Sequence, residues 1–373
     1  MSERELLVGI GMARYLDADL ALDLAIGHPS QHGALQLALR VDGDIITWAE
    51  PRVGLLHRST EKLFEARDYR QLMMLANRHD WLSSFASELA IALVLESSLG
   101  IRPPERATWA RMLLAELNRA SAICLLVGTA IPSATGALEL RESSLHLQEQ
   151  ATGNRIHPMV NRIGGLSLAL GQYWLELLDA WVNKALAELD GLRSRTLEAT
   201  ASLAGVAALD RSAAIRHGAS GPVARASGLD LDIRLDAPYL HYDHVPLSRR
   251  GPSGAGDLPA RYQVLLDDLG DALAIMSASS AVLADLGSGP VDVPLPKVVR
   301  APEGISHGEV EGPLGGIGVL LASAGDKAPS RLKLRTPSFG NVQAMATALV
   351  GVHLDQLATA VMSFFVMSGD IDR

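Results

Sequence analysis

The chain has 373 residues, 48% of them hydrophobic, with one cysteine, Cys124. That length suggests two or three packed units, and a lone cysteine excludes an intramolecular disulfide or a multi-cysteine metal site built by this chain alone. With 42 acidic against 33 basic residues, the formal charge of −9 argues against a nucleic-acid surface.

Met1 to Arg14 has no basic segment leading into an apolar one, so no signal peptide is expected. Residues 1–19 read as a weakly ordered lead-in. Ala34 to Val41 alternates and is apolar-rich, Asp42-Gly43 signals a two-residue turn, and Asp44 to Trp48 returns as the partner strand before Pro51. From Val53 to about Leu192 the pattern is helical. Leu72 to Leu99 reads as a helix stopped by Gly100 and Pro103-Pro104, followed by helices over Thr108–Val127 and Glu139–Ala151. Trp174, Leu177, Leu178, Trp181, Ala185 and Leu189 make an apolar stripe on a long helix, a core feature.

Residues 193–262 are rich in Gly, Ala, Arg and Asp and read as loops. Tyr262 to Leu286 returns to helix, Val291 to Lys297 is extended, Gly315–Ser323 and Arg331–Leu334 suggest a hairpin, and a last helix is expected over Val342–Val366. The resulting division is 1–52, a β-element; 53–192, a helical bundle; 193–262, a loop-rich segment; and 263–373, helices with a β-hairpin. Ala120–Leu138 and Thr336–Gly369 approach membrane length, but both are rich in small residues and are expected to be buried core helices.

His28 and His32 would suit metal ligands if they shared a helical face, but Pro29 and Gly33 place them in a loop, where they could equally cap strand ends. Cys124 lies in an apolar run and reads as a small buried hydrophobe. No G-x-S-x-G elbow, Walker loop or H-E-x-x-H is present. Gly312–Gly318 lacks the G-x-G-x-x-G spacing, so no Rossmann NAD site is expected.

The order of several blocks resembles the NuoD family of respiratory complex I, the NADH:quinone oxidoreductase. These are Gly27-His28-Pro29-Ser30-Gln31-His32-Gly33, Gly54-Leu55-Leu56-His57-Arg58-Ser59-Thr60-Glu61-Lys62, Gly153-Asn154-Arg155-Ile156-His157, Arg162-Ile163-Gly164-Gly165, Thr336-Pro337-Ser338-Phe339 and the terminal Asp370-Ile371-Asp372-Arg373. That family is similar in turn to nickel–iron hydrogenase large subunits, whose paired metal-binding cysteines have no counterpart here. The resemblance implies an α+β fold: an N-terminal antiparallel β-element, a central helical bundle and a mixed C-terminal part. It also implies a quinone substrate and an iron–sulfur small subunit as partner, with the cluster held by that partner and no metal held by this chain. Other complex I subunits would complete an assembly on the cytoplasmic face of a membrane. Proton translocation belongs to the whole complex.

By the same resemblance His32 is the proton-donating residue at one quinone oxygen, and His28 either contacts quinone or braces the loop. Asp80 and Trp81 belong to the quinone site, and Arg58 and His157 face the cluster. A histidine suits the role because it can donate a proton near neutral pH and be recharged. In Arg78-His79-Asp80-Trp81 the family's tyrosine is replaced by Trp81, whose indole N–H donates a hydrogen bond but no proton. The segment after Glu116-Leu117-Asn118-Arg119, where the family carries an aspartate, holds no carboxylate through Val127-Gly128-Thr129-Ala130-Ile131-Pro132. Those departures leave room for a non-catalytic scaffold paralogue, or for a subunit of a hydrogenase-related membrane complex fed by another donor.

Overall fold

A computed structural model describes residues 4–9, 20–23, 35–245, 247 and 254–373. Strands β1 (Arg4–Gly9), β2 (Leu20–Asp23), β3 (Gln36–Asp42) and β4 (Ile45–Arg52) form one sheet in the order β2-β1-β3-β4. The expected hairpin is β3–β4, turning at Gly43 with φ +62°. The supposed lead-in instead contains β1, which lies inside the sheet, antiparallel to β3 and parallel to β2. Six residues without a turn signal gave no periodicity to read. Burial of Leu6 and Val8 against β3 places them.

The helical part runs through α1 (Thr60–Glu65), α2 (Leu72–Ala76), α3 (Ser84–Leu99), α4 (Glu105–Ala130) and α5 (Gly136–Thr152). The helix expected over Leu72–Leu99 is broken between α2 and α3. There the Asp80 carboxylate accepts the backbone N–H groups of Leu82 and Ser83, a local bond that competes with helix. Gly100, at φ +65°, ends α3 with Ile101 N–H bonded to Glu96 C=O. A two-residue pair, β5 (Asn161–Arg162) and β6 (Gly165–Leu166), precedes α6 (Gln172–Thr200), which outlasts its expected end. Short helices α7 (Arg211–His217), α8 (Gly221–Ala226) and α9 (Ile233–Asp236) lead to α10 (Leu258–Leu286), capped by the Asp257 carboxylate on Ala260 N–H.

Strands β7 (Gly304–Gly312), β8 (Gly315–Ser323) and β9 (Arg331–Arg335) form a second sheet in that order. The hairpin β8–β9 was expected and β7 was not. The last stretch is α11 (Pro337–Ala348), α12 (Leu357–Met362) and α13 (Ser368–Ile371) rather than one helix. Residues between α11 and α12 turn at Gly351, φ +90°, and bond to β4: Ile46 N–H to Val352 C=O, and Gly351 N–H to Ile46 C=O.

One core joins α2–α6, α10 and the second sheet. A second core joins the first sheet to α7, α8, α11 and α12, so the two ends of the chain pack together. By length and composition alone α4 and α10 could cross a membrane, yet 83% of the apolar window of α4 is buried inside the protein. The stretches Ala120–Leu138 and Thr336–Gly369 each span more than one helix.

Candidate functional site

Between the two cores lies a cleft of about 730 Å³, a size suited to a small organic ligand. Its walls come from the loop after β4 (Leu56, Arg58), the turn between α2 and α3 (Arg78, His79, Trp81, Leu82), the end of α4 (Leu125, Leu126, Thr129) and the C-terminal segment (Met362, Val366, Met367, Gly369, Asp372). It is apolar along α4 and the methionines and charged at the 58–78 side. At the α4 end Thr129 is the polar cleft residue, and its hydroxyl donates back to Leu125 C=O.

The loop after β4 is held by the C-terminus. Asp372 accepts the N–H groups of Gly54 and Leu56 at 2.7 and 2.8 Å, and His57 Nδ1 lies 3.0 Å from the Asp372 carbonyl. Ser59 takes φ +59°, which turns the chain into α1. Arg58 is exposed and its Nη2 donates to Arg78 C=O at 2.8 Å. Leu55 and Leu56 stand 47% and 45% exposed beside it, an apolar lip on the same loop.

Trp81, 38% exposed, borders the cleft with the Arg141 guanidinium 5.7 Å from its ring centroid. Arg141 on α5 donates to Ser121 C=O, and burial pushes its pKa down. Asp80 stands apart from the expected ligand contact: it is fully buried behind the wall, and its carboxylate caps the turn. His157 is half-buried and does not border the cleft, but it neighbours Arg78. Burial first, then the charge of Arg78, hold its imidazole below its ordinary value. Arg58 and His157 therefore each neighbour Arg78. His28 and His32 lie outside the described residues.

Three features were not singled out from sequence. Arg141 stacks on Trp81 from a helix sixty residues away in the chain. His79 contributes to the cleft wall, and Asp370 lies behind it. His79 and Asp370 sit inside the quoted blocks 78–81 and 370–373, and only folding puts those blocks in contact. Cys124 is buried, and burial pushes its thiol up to about 12, as a small hydrophobe requires. Among the described residues no group of three or more His, Cys, Asp or Glu side chains is placed to hold a metal.

The fold is that of a respiratory-complex subunit of the hydrogenase-like class. A subunit of a membrane-bound sulfane sulfur reductase, an archaeal respiratory membrane complex, superposes with a TM-score of 0.86 at 28% identity, covering 94% of this chain and 97% of that one. Residues 129–303 and 295–373 match the family model described as respiratory-chain NADH dehydrogenase, 49 kDa subunit. The NADH-quinone oxidoreductase D-type subunit numbered 2 in Salinispora tropica is 46% identical, over 99% of this chain and 97% of its own. The D-type subunit numbered 1 in Streptomyces coelicolor is 42% identical over 99% of both chains, and the D-type subunit of Bacillus cereus 31% over 95% and 98%. The chain belongs to this 49 kDa subunit family and is a subunit of an oxidoreductase complex of the NADH dehydrogenase type.

Proposed function

We propose that this chain forms the quinone chamber of a proton-translocating NADH:quinone oxidoreductase, against an iron–sulfur subunit carrying the terminal cluster. The cleft carries the reading: an apolar tunnel wall along α4 and Met362–Met367 suits a prenylated ring, and Arg58, Arg78 and Trp81 collect at one end. Quinone reduction builds negative charge on the ring oxygens, so cations and N–H donors at that end favour it. The exposed loop with Leu55, Leu56 and Arg58 suits a protein partner. A cation held beside an iron–sulfur cluster raises its potential, because reduction adds negative charge there. By the resemblance His32 donates to one quinone oxygen, with His28 in the same loop; His157 faces the cluster. The complex would sit at the cytoplasmic face of a membrane, and NADH would be oxidised in other chains.

The similarity to the sulfane sulfur reductase subunit supports a second reading, a hydrogenase-related membrane complex with another electron donor. Affinity purification of the tagged chain from its own membranes in mild detergent, with EPR of the product, separates the two. Recovery with an iron–sulfur subunit, a cluster signal and NADH-oxidising chains is expected. Recovery with a cluster but without those chains favours the second reading, and recovery with neither favours a non-catalytic scaffold. In the purified complex His32→Ala should abolish quinone reduction with assembly intact; loss of assembly would make His32 structural.

A further inference from the structure

Behind the cleft wall three titratable side chains have fewer partners than they can use. The side chains of His79 and Asp370 are 1% and 0% exposed, and Asp80 is equally buried. His79 Nε2 lies 3.4 Å from Asp370 Oδ1, within ion-pair range but out of hydrogen-bond alignment, and neither ring nitrogen has a hydrogen-bond partner. Asp370 Oδ2 accepts Ser338 N–H at 2.9 Å. Asp80 Oδ1 accepts two backbone N–H groups, which leaves its Oδ2 unpartnered. Buried polar groups normally find partners, because leaving them without one costs the full desolvation.

Folding ties the three to the cleft. Gly369 and His79 share its wall, and they touch: a Cβ on Gly369 would lie 2.4 Å from the His79 carbonyl oxygen. Thr336 Oγ1 donates to Asp370 C=O and fixes the segment from the other side. Burial, followed by the charge of Asp370, pushes Asp80 up to about 6, while His79 and the Ser83 groups work the other way. Of the flanking cations, Arg78 accepts at its carbonyl from Arg58 Nη2 at the rim, and Arg373 turns away to the Leu334 and Ile371 carbonyls and Glu61. A buried carboxyl that feels a second carboxylate holds its proton more readily than an exposed one, which makes Asp80 the proton store of the group.

We propose that His79, Asp80 and Asp370 form one proton-holding cluster that delivers a proton to a quinone reduced in the adjoining cleft. The proposal rests on the quinone reading of that cleft. Quinone takes two electrons from the partner's iron–sulfur cluster and two protons to become quinol. One N–H bond of the His79 imidazolium breaks as an O–H bond forms on the reduced ring oxygen. His79 then regains a proton from the Asp80 or Asp370 carboxyl, and that carboxylate is refilled from water. The second proton comes from outside the cluster. His79 is assigned as the exit because it alone of the three lines the cleft, while its buried ring meets the Asp370 carboxylate one layer behind the wall.

The assembled membrane complex tests this with a short-chain naphthoquinone as acceptor, from about pH 5 to about pH 9. Ferricyanide, which accepts electrons upstream, serves as the control. His79→Asn keeps a polar amide of similar size and cannot titrate. Its quinone rate should fall at least about tenfold, with a flattened pH profile and an unchanged ferricyanide rate. A wild-type rate and pH profile would overturn the proposal, since a merely structural histidine would leave the profile unmoved. A second measurement covers failure to assemble. Infrared spectra of the resting wild-type complex should contain a deuterium-sensitive protonated-carboxyl band that Asp80→Asn or Asp370→Asn removes. Its absence overturns the cluster. If the band is present and wild type reduces no quinone, the delivery step fails with the quinone reading and the shared proton stands.

Discussion

Two buried charged regions in this protein are built in opposite ways. Between α4, α8, α9, α10 and β7, Glu116 accepts from Tyr242 at 2.6 Å and from Arg119 at 2.9 Å, and Arg119 also donates to the Glu311 and Gly312 carbonyls. Arg234 grips both oxygens of Asp232, and Arg225 bridges Asp268 and Glu311. Burial opposes ionisation of Asp232, yet the Arg234 guanidinium holds it well below the usual carboxylate range. Behind the cleft, by contrast, His79, Asp80 and Asp370 have burial without matching partners, and Asp80 rises instead of falling. Both regions are buried and ionisable. In the first, opposite charges and hydrogen bonds outweigh burial at Asp232, although burial and then Asp232 still raise Glu311; in the second, among the described residues no cation is paired with Asp80, and burial and a like charge decide its direction.

The contrast breaks first at Arg234. Arg234→Leu takes from Asp232 its two-pronged partner, leaving only the more distant Arg225, and takes one of two cations from Glu116, and should cost about 3–5 kcal/mol, seen as loss of soluble chain or a large drop in Tm. A drop under about 1 kcal/mol would mean that water reaches the network.

Asp80→Asn should act with the opposite sign. Folding raises this carboxyl from its ordinary 3.8 up to about 6, so the folded state holds the proton more tightly. Its stabilising contribution is therefore present below the unfolded value and is lost as pH rises through the folded one. At pH 8 the amide removes that loss while still accepting the Leu82 and Ser83 N–H bonds, a gain of up to about 3 kcal/mol in urea unfolding. The gain should vanish near pH 4. Equal effects at both pH values would show that Asp80 does not hold a raised pKa.

Asp372→Ala releases two backbone N–H groups of the loop after β4, with an expected cost of about 1–3 kcal/mol. Weaker retention of the iron–sulfur subunit, measured by co-purification, should accompany it, because Arg58 and Leu55 sit on that loop. Arg141→Gln removes the cation from the Trp81 face and should cost only about 0.5–1 kcal/mol. Trp81→Tyr should raise the rate with ordinary quinones. An unchanged or lower rate would mean that the cleft is shaped around the indole.

Several parts of this structure are already written in the sequence. Asp42-Gly43 announces the first hairpin because glycine alone takes its φ without strain, and Gly100 ends α3 for the same reason. The pattern of Trp174, Leu177, Leu178, Trp181, Ala185 and Leu189 marks the buried stripe of α6, and all are buried except the half-buried Leu177. The α+β class and the family came from short blocks kept in order along the chain, since such blocks specify local backbone and a few side chains. The strand β1, the break at Asp80 and the division of the last helix were not legible. For β1 and the last helix a bond made elsewhere outweighs local preference, since β3 claims β1 and β4 claims Gly351 and Val352; at Asp80 the competing bond is local, its carboxylate taking the N–H groups of the next turn. The candidate site divides the same way. Arg58, Trp81 and His157 stand out through the motifs around them. Arg141 against Trp81, Asp372 on the Gly54 loop and His79 facing Asp370 depend on residues 60 to 318 positions apart meeting. Periodicity and turn chemistry are properties of neighbours in sequence. The sharing of a buried proton depends on which distant charges the fold encloses together.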